Sequence, residues 1–300
     1  MDIAVIGLGR VWQHYENIIF SLNKEINITT IVDQNESLID KYSKKYGCKS
    51  FKTLDEFIKK ITSPKPNLAL VLTPSGEHYI DSKKLLMSGI NVITEKPSTL
   101  IPQQTKELGE IAKKNNLLYS CVFQNRYNKA ILKAKELIDS GLIGKVVSCS
   151  AAVKWCRDQN YYNDGWHGSW KMDGGVLAQQ AIHHVDALRF LNGEVSKVCG
   201  HGARLSSKLQ AEDTFCGSLV YENGSCGSIL ATTAIRPKDR YARIVISATN
   251  GEIMIGGVCM NMMEKLLIGE KSFTFNELDL VDIKFVIYSL RRSNFFKLNT

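Results

Sequence analysis

Gly7-Leu8-Gly9-Arg10-Val11-Trp12 stands directly after the apolar run Ile3–Ile6. A first glycine there permits a tight turn. A second lets the backbone approach a pyrophosphate seated on the positive end of the following helix. Gly7, Gly9, Arg10 and Val11 are therefore expected to meet a dinucleotide, although Trp12 stands where glycine or alanine is usual. Asp33 ends the second apolar run, 26 positions after Gly7. A carboxylate in that place can bond ribose hydroxyls and repels an extra phosphate, and Gln34-Asn35 supply no arginine to receive one. NAD is the expected cofactor. The alternative for Asp33 is a helix cap or turn residue.

A second group is Thr94-Glu95-Lys96-Pro97, just past the run Asn91–Thr94. Ligands of open α/β sheets bind beyond the carboxyl ends of strands, so Lys96 is placed to enter the cofactor crevice. An ammonium there can hydrogen-bond a substrate hydroxyl and lower the cost of a developing alkoxide. A Glu-Lys-Pro tripeptide taken alone is also a common surface turn. A third group is Asp173-Gly174-Gly175-Val176-Leu177-Ala178-Gln179-Gln180-Ala181-Ile182-His183-His184-Val185-Asp186, a diglycine at a helix start with histidines two turns on. The fourth is a loop in which Lys154, Trp155, Arg157, Tyr161, Tyr162, Trp166 and Trp170 fall within 17 residues. Guanidinium forks match carboxylates or phosphates, and aromatic faces match a sugar or base, so the loop suits an anionic, partly planar ligand. Its alternative is an aromatic subunit interface.

The elements that must hold these groups follow from periodicity. Ile3–Ile6, Ile28–Val32, Leu68–Leu72, Asn91–Thr94 and Leu118–Val122 read as strands. They alternate with helical patterns at Ser37–Tyr46, Leu54–Ile61, Tyr79–Ser88 and Gln103–Asn115. That alternation predicts a Rossmann-type α/β domain, a doubly wound parallel sheet, over residues 1–123. Residues 124–300 read as an α+β domain with a largely antiparallel open sheet. It has a helix Tyr127–Ser140 closed by Gly141, a strand Lys145–Val153, and one apolar helix near Val176–Leu191. Strands follow at Val195–Gly202, Asp213–Tyr221, Gly224–Thr233, Arg240–Ala248 and Glu252–Ile255, with turn signals at Asn223-Gly224 and Asn250-Gly251.

Three of these groups together resemble the Gfo/Idh/MocA family of oxidoreductases, which combines a glycine fingerprint, a Glu-Lys-Pro and a diglycine–histidine helix in this order. The resemblance covers nearly the whole chain. It implies that Lys96 and His183 are the catalytic pair, and that Thr73, Pro74, His78 and Glu95 lie against the cofactor. Imidazole suits proton transfer at His183, because its reference pKa of about 6.5 lies near working pH; the plain alternative is a core histidine. Asp186 either orients the His183 ring or is a surface carboxylate. Gln179 stands where the family usually has aspartate; an amide cannot act as a base but can bond substrate. The aromatic loop, with Gln124-Asn125-Arg126-Tyr127-Asn128, is similar to the UDP-N-acetyl-2-amino-2-deoxyglucuronate dehydrogenase branch. Members oxidise the 3-hydroxyl of UDP-N-acetylglucosaminuronic acid in O-antigen and lipopolysaccharide sugar synthesis. By this resemblance Arg126, Lys154 and Arg157 meet carboxylate or pyrophosphate, and Tyr127 and Asn128 lie near the sugar. Other readings are a dehydrogenase of another sugar or an inositol-like polyol, and a non-catalytic sensor on the same fold.

Composition bounds the remainder. A net charge of +8 suits an anionic nucleotide-sugar, and its dispersal gives no nucleic-acid surface. Lys41, Lys44, Lys45 and Lys49 read as one solvated helix face. Eight scattered cysteines without a Cys-x-x-Cys pair predict reduced thiols and no metal site. The absence of a long apolar run or a basic leader predicts a cytoplasmic protein with no membrane partner. The family implies a homo-oligomer, tetramer or dimer. The stretch 287–300 does not match the family's usual ending, so the C-terminal part is expected to be short, with Phe295 and Phe296 exposed unless docked.

Overall fold

The computed structural model describes residues 1–21 and 26–274. The chain forms two compact units: residues Met1–Val122 with Asp164–Gly174, and Phe123–Asn163 with the described residues from Gly175 onward.

The first unit is built on a parallel sheet. Its elements run β1 Asp2–Ile6, α1 Arg10–Ser21, β2 Asn27–Val32, α2 Glu36–Tyr46, β3 Lys49–Phe51, α3 Leu54–Lys60, β4 Leu68–Val71, α4 His78–Met87, β5 Asn91–Thr94, α5 Pro102–Lys114 and β6 Tyr119–Cys121. The strand order is β3-β2-β1-β4-β5-β6, and all five pairings are parallel. Order reverses beside β1, which is where a doubly wound sheet opens a crevice for a dinucleotide. Strands such as Leu68–Val71 are buried at every position because helices cover both faces. One apolar cluster joins Ala4, Ile6, Val71 and Val92 to Leu85, Leu86 and Leu108; the other joins Ile3, Val5 and Ile31 to Trp12 and Tyr42. Asn35 and Thr53 cap α2 and α3, each accepting backbone N–H bonds.

Trp12, out of place in the glycine fingerprint, is fully buried and meets Tyr42 and Tyr46 edge-on at 6.0 and 6.1 Å. A glycine at this position serves close packing of helix on strand. Here an aromatic contact between α1 and α2 does that work.

In the second unit, α6 Lys129–Asp139 and β7 Val146–Lys154 precede α7 Gln159–Tyr162 and α8 Gly175–Gln179. Then follow α9 Ile182–Asn192, β8 Val195–Ala203, β9 Thr214–Tyr221, β10 Cys226–Thr232, β11 Tyr241–Ala248, β12 Gly251–Gly256, β13 Met262–Ile268 and β14 Lys271–Thr274. Among the described residues, eight strands lie in the order β14-β13-β12-β11-β7-β10-β9-β8. Only β10 with β7 is parallel. β9 and β10 turn at Asn223-Gly224, where Gly224 has φ of 84°. Helices α6 and α9 pack Ile131, Leu137, Leu188 and Leu191 onto Ile244, Ile246, Ile253 and Leu266.

Two features differ from expectation. The single helix near Val176–Leu191 is two, α8 and α9. The N–H groups of Gln180 and Ala181 both bond the Val176 carbonyl, and Ala181 has ψ of 0°, which starts α9 afresh. Strands β3, β13 and β14 went unread because they are short or lack strict alternation. The reading of 287–300 lies outside the described residues.

Candidate active site

In the first unit the chemistry gathers beyond the carboxyl ends of the strands. Gly7 has φ of 93°, and a Cβ there would stand 2.8 Å from the Leu72 carbonyl carbon, so only glycine fits between β1 and β4. A Cβ on Gly9 would meet nothing within 4 Å. That open space above a helix start is the cradle a pyrophosphate needs. Asp33 accepts from the Leu8 N–H at 2.7 Å and from the Asn35 N–H at 2.8 Å, so it ties the glycine turn to the end of β2. Asp33 is thus a turn residue, one of the roles its position allows. Arg10 and Val11 open α1, both exposed.

The loops after β4 and β5 are fastened together. His78 is buried, with Nδ1 2.7 Å from the Pro97 carbonyl and Nε2 2.8 Å from the Thr73 carbonyl. Burial pulls its imidazole below the ordinary value, against those carbonyls. Its ring thus braces Thr73 and Pro74 against the Lys96-Pro97 turn. Thr73 donates to Asp81 at 2.8 Å. Glu95 accepts from the Tyr15 hydroxyl at 2.7 Å and from the Lys96 N–H at 3.0 Å. Lys96 is partly buried. Loss of water pulls its ammonium below the usual lysine value, while Glu95, Asp173 and Cys121 pull it back.

Asp173 belongs to Asp164–Gly174, the segment that joins the first unit. Sequence order alone assigns this stretch to the substrate domain, and no local pattern reveals where it packs. It is anchored where Gly76 N–H bonds the Met172 carbonyl at 3.1 Å and where Arg10 meets Asp164 at 3.3 Å. A Cβ on Gly76 would sit 2.4 Å from the Lys171 carbonyl oxygen, so the approach is of backbone to backbone.

The second unit holds the remaining expected residues. His183 is the second residue of α9, half-buried, with its ring edge-on to Phe123 at 6.0 Å. His184 faces Trp155 instead, and burial pulls its imidazole down to about 4. Gln179 closes α8 and is buried. Asp186, for which orienting His183 or standing on the surface were the alternatives, instead receives Arg126 through a two-pronged bond, 2.7 Å from Nε and 2.5 Å from Nη2. Tyr127 is exposed, and Asn128 donates to the Cys259 carbonyl.

Lys154 and Arg157 lie in a cluster of cations. Backbone bonds from Arg157 to Thr233 and from Arg240 to Lys154 join the loop after β7 to the stretch before β11. That pairing brings Arg236 and Arg240 to the same edge, where Asp239 takes Arg157 at 3.1 Å. Arg157 also lies over Trp155 and Tyr161, and Lys154 over Tyr241. Arg236 and Arg240 were missed, because Arg236-Pro237-Lys238-Asp239-Arg240 reads as a charged turn. Only strand pairing reveals their neighbours.

Such a glycine turn at a helix start, with a carboxylate at the end of β2 and a partly buried lysine at the end of a parallel sheet, fits an NAD-binding oxidoreductase. Comparison with known proteins bears this out. Residues 1–123 match the oxidoreductase family model with an NAD-binding Rossmann fold, and residues 131–254 match the GFO/IDH/MocA C-terminal domain. The chain belongs to the Gfo/Idh/MocA family and is an NAD-dependent oxidoreductase acting on a CH–OH group. Among its relatives is scyllo-inositol 2-dehydrogenase (NAD(+)) of Bacillus subtilis strain 168, 25% identical over 259 residues, 84% of this chain and 73% of that one. Among solved structures, the WlbA dehydrogenase of Bordetella pertussis in complex with NADH and UDP-GlcNAcA aligns with a TM-score of 0.87 and 25% identity, covering 97% of this chain and 83% of that one. The WlbA dehydrogenase of Chromobacterium violaceum, in complex with the same two ligands, gives 0.86 and 26%, covering 95% and 81%.

Proposed function

We propose that the chain oxidises the 3-hydroxyl of UDP-N-acetylglucosaminuronic acid, a step toward O-antigen and lipopolysaccharide sugars. The observation that carries this reading is the cation cluster Lys154, Arg157, Arg236 and Arg240 beside Trp155 and Tyr161. With Asp239 as its acidic member it keeps a positive excess, which suits a uronate or diphosphate. The two WlbA neighbours, solved with UDP-GlcNAcA, point the same way.

Gly7, Gly9, Arg10, Val11, Asp33, Thr73, Pro74, His78 and Glu95 form or brace the place for NAD, which when bound supplies the hydride acceptor. Lys96 hydrogen-bonds the reacting hydroxyl and favours its alkoxide character. His183 receives the hydroxyl proton, and Gln179 bonds the sugar as an amide. Arg126 has a structural duty to Asp186, so its share in substrate binding is indirect; Tyr127 and Asn128 flank it. The same reading carries a nucleotide-sugar partner, a homo-oligomer of two or four chains, and action in the cytoplasm.

The test is a substrate panel read by NADH absorbance. Turnover of the UDP-linked uronate, with at least tenfold less for UDP-N-acetylglucosamine, is expected. Turnover of scyllo-inositol with indifference to UDP-sugars would instead establish a polyol dehydrogenase, the activity named for the Bacillus subtilis relative.

A further inference from the structure

Asp164 is shared between a guanidinium and an imidazole. Its Oδ2 accepts from Arg10 Nη2 at 3.3 Å and from His167 Nδ1 at 2.5 Å. Its Oδ1 accepts the N–H groups of Trp166 and His167 at 3.4 and 3.2 Å, which fixes the carboxylate against its own loop. The His167 side chain is 3% exposed and packs on Trp166 with ring centroids 3.6 Å apart. His167 therefore stands one carboxylate away from Arg10, the first residue of α1, whose amino end is the seat proposed above for the pyrophosphate.

We propose that His167 is a cofactor-site residue that meets the dinucleotide pyrophosphate as an imidazolium, taking up its proton from solvent when the dinucleotide enters. The inference rests on NAD binding and not on which sugar is oxidised.

The charges facing the ring give the sign. Burial pulls His167 below 6.5, Asp164 pulls it up by hydrogen bond and charge, and Arg10 and Lys96 pull it down. Its partner agrees: partial burial raises the Asp164 carboxyl, but the bonds and charge of His167 outweigh this and hold it below the usual range. An entering pyrophosphate adds negative charge. It also competes with Asp164 for Arg10, and the exposed Arg10–Asp164 pair is cheap to exchange, at about 0–1 kcal/mol. Both changes favour the imidazolium. Proton uptake therefore occurs between the lower value of the free protein and the higher value of the complex. Across that window NADH binding weakens as pH rises.

The full chain is titrated with NADH by calorimetry near pH 6.5, in two buffers of different ionisation heat. Wild type is expected to take up a measurable fraction of a proton per NADH bound. His167→Gln is expected to bind with none, and with an affinity several-fold weaker and flat across the window. Asp164→Asn, at a partly exposed site, is expected to halve the uptake or more, and it serves if His167→Gln does not fold. Binding by wild type without proton uptake, or uptake unchanged in the variants that fold, overturns the proposal. Neither result bears on the sugar panel, so the two readings fail separately.

Discussion

At the scale of the residue, Lys96 and His184 show how one physical factor serves two ends. Both are pulled down by loss of water, but Lys96 has Glu95 and Asp173 within electrostatic reach and His184 has only the opposing charge of His183. Lys96→Met is expected to lower kcat by about 10²–10³, the size of losing one oriented donor to a developing oxyanion, with NADH affinity little changed. Steady-state rates set beside an NADH fluorescence titration check the split. His184 keeps both ring nitrogens buried with no hydrogen-bond partner among the described residues. Its imidazole titrates near 4 in the folded chain and near 6.5 when unfolded, so the unfolded chain binds the extra proton between those values. Stability is then full above pH 6.5, falls as the pH falls toward 4 by roughly 3 kcal/mol, and levels off below. His184→Leu is expected to flatten that acid limb and to raise stability at pH 7 by about 1 kcal/mol, read from denaturant melts across pH. A steep limb that survives the substitution would assign it to another group.

Elements explain what the residues cannot. The glycine fingerprint, Asp33 and the Glu-Lys-Pro turn were legible because strand, turn and helix are local patterns that repeat with fixed periods. The break between α8 and α9 was not, since the run Val176–Leu191 is apolar throughout and only the double bond to the Val176 carbonyl marks it. Nor were Arg236 and Arg240, which become neighbours of Lys154 through a pairing across some eighty residues of chain. The diglycine was read as a helix start, and the structure adds its reason. Gly174 and Gly175 have φ of 81° and 84°, and a Cβ on Gly175 would lie 2.1 Å from the Glu212 carboxylate. Burial already pushes that carboxyl upward. Gly175→Ala combines left-handed backbone strain with this clash and is expected to cost about 1–3 kcal/mol. It should also lower kcat, because α8 ends at Gln179 and leads into His183. Thermal melts and rates on the same samples test both, and a fully active variant of wild-type stability would refute the account.

At the scale of the whole molecule, the chain crosses between the units three times, after Val122, Asn163 and Gly174, and the segment between the last two crossings, Asp164–Gly174, is what sequence order hides. Both apolar clusters of the first unit draw only on residues between Ile3 and Tyr119, so the segment adds nothing to that core. What it adds is polar: Asp164 on Arg10, the Met172 carbonyl on Gly76, and the charge of Asp173 toward Lys96. A fragment of residues 1–123 should therefore fold cooperatively, yet bind NADH more weakly than the full chain by roughly tenfold, equivalent to about 1.4 kcal/mol. Circular dichroism melts and fluorescence titration measure the two halves of that statement. The fragment also lacks the second unit, so Gly76→Ala in the full chain isolates the segment. Its Cβ would crowd the Lys171 carbonyl and Met172, both within the segment. If the segment belongs to the cofactor site, both changes weaken NADH binding in the same direction. If Gly76→Ala displaces it and affinity stays at the full-chain value, the loss in the fragment comes from elsewhere, and Asp164–Gly174 serves only to join the two units.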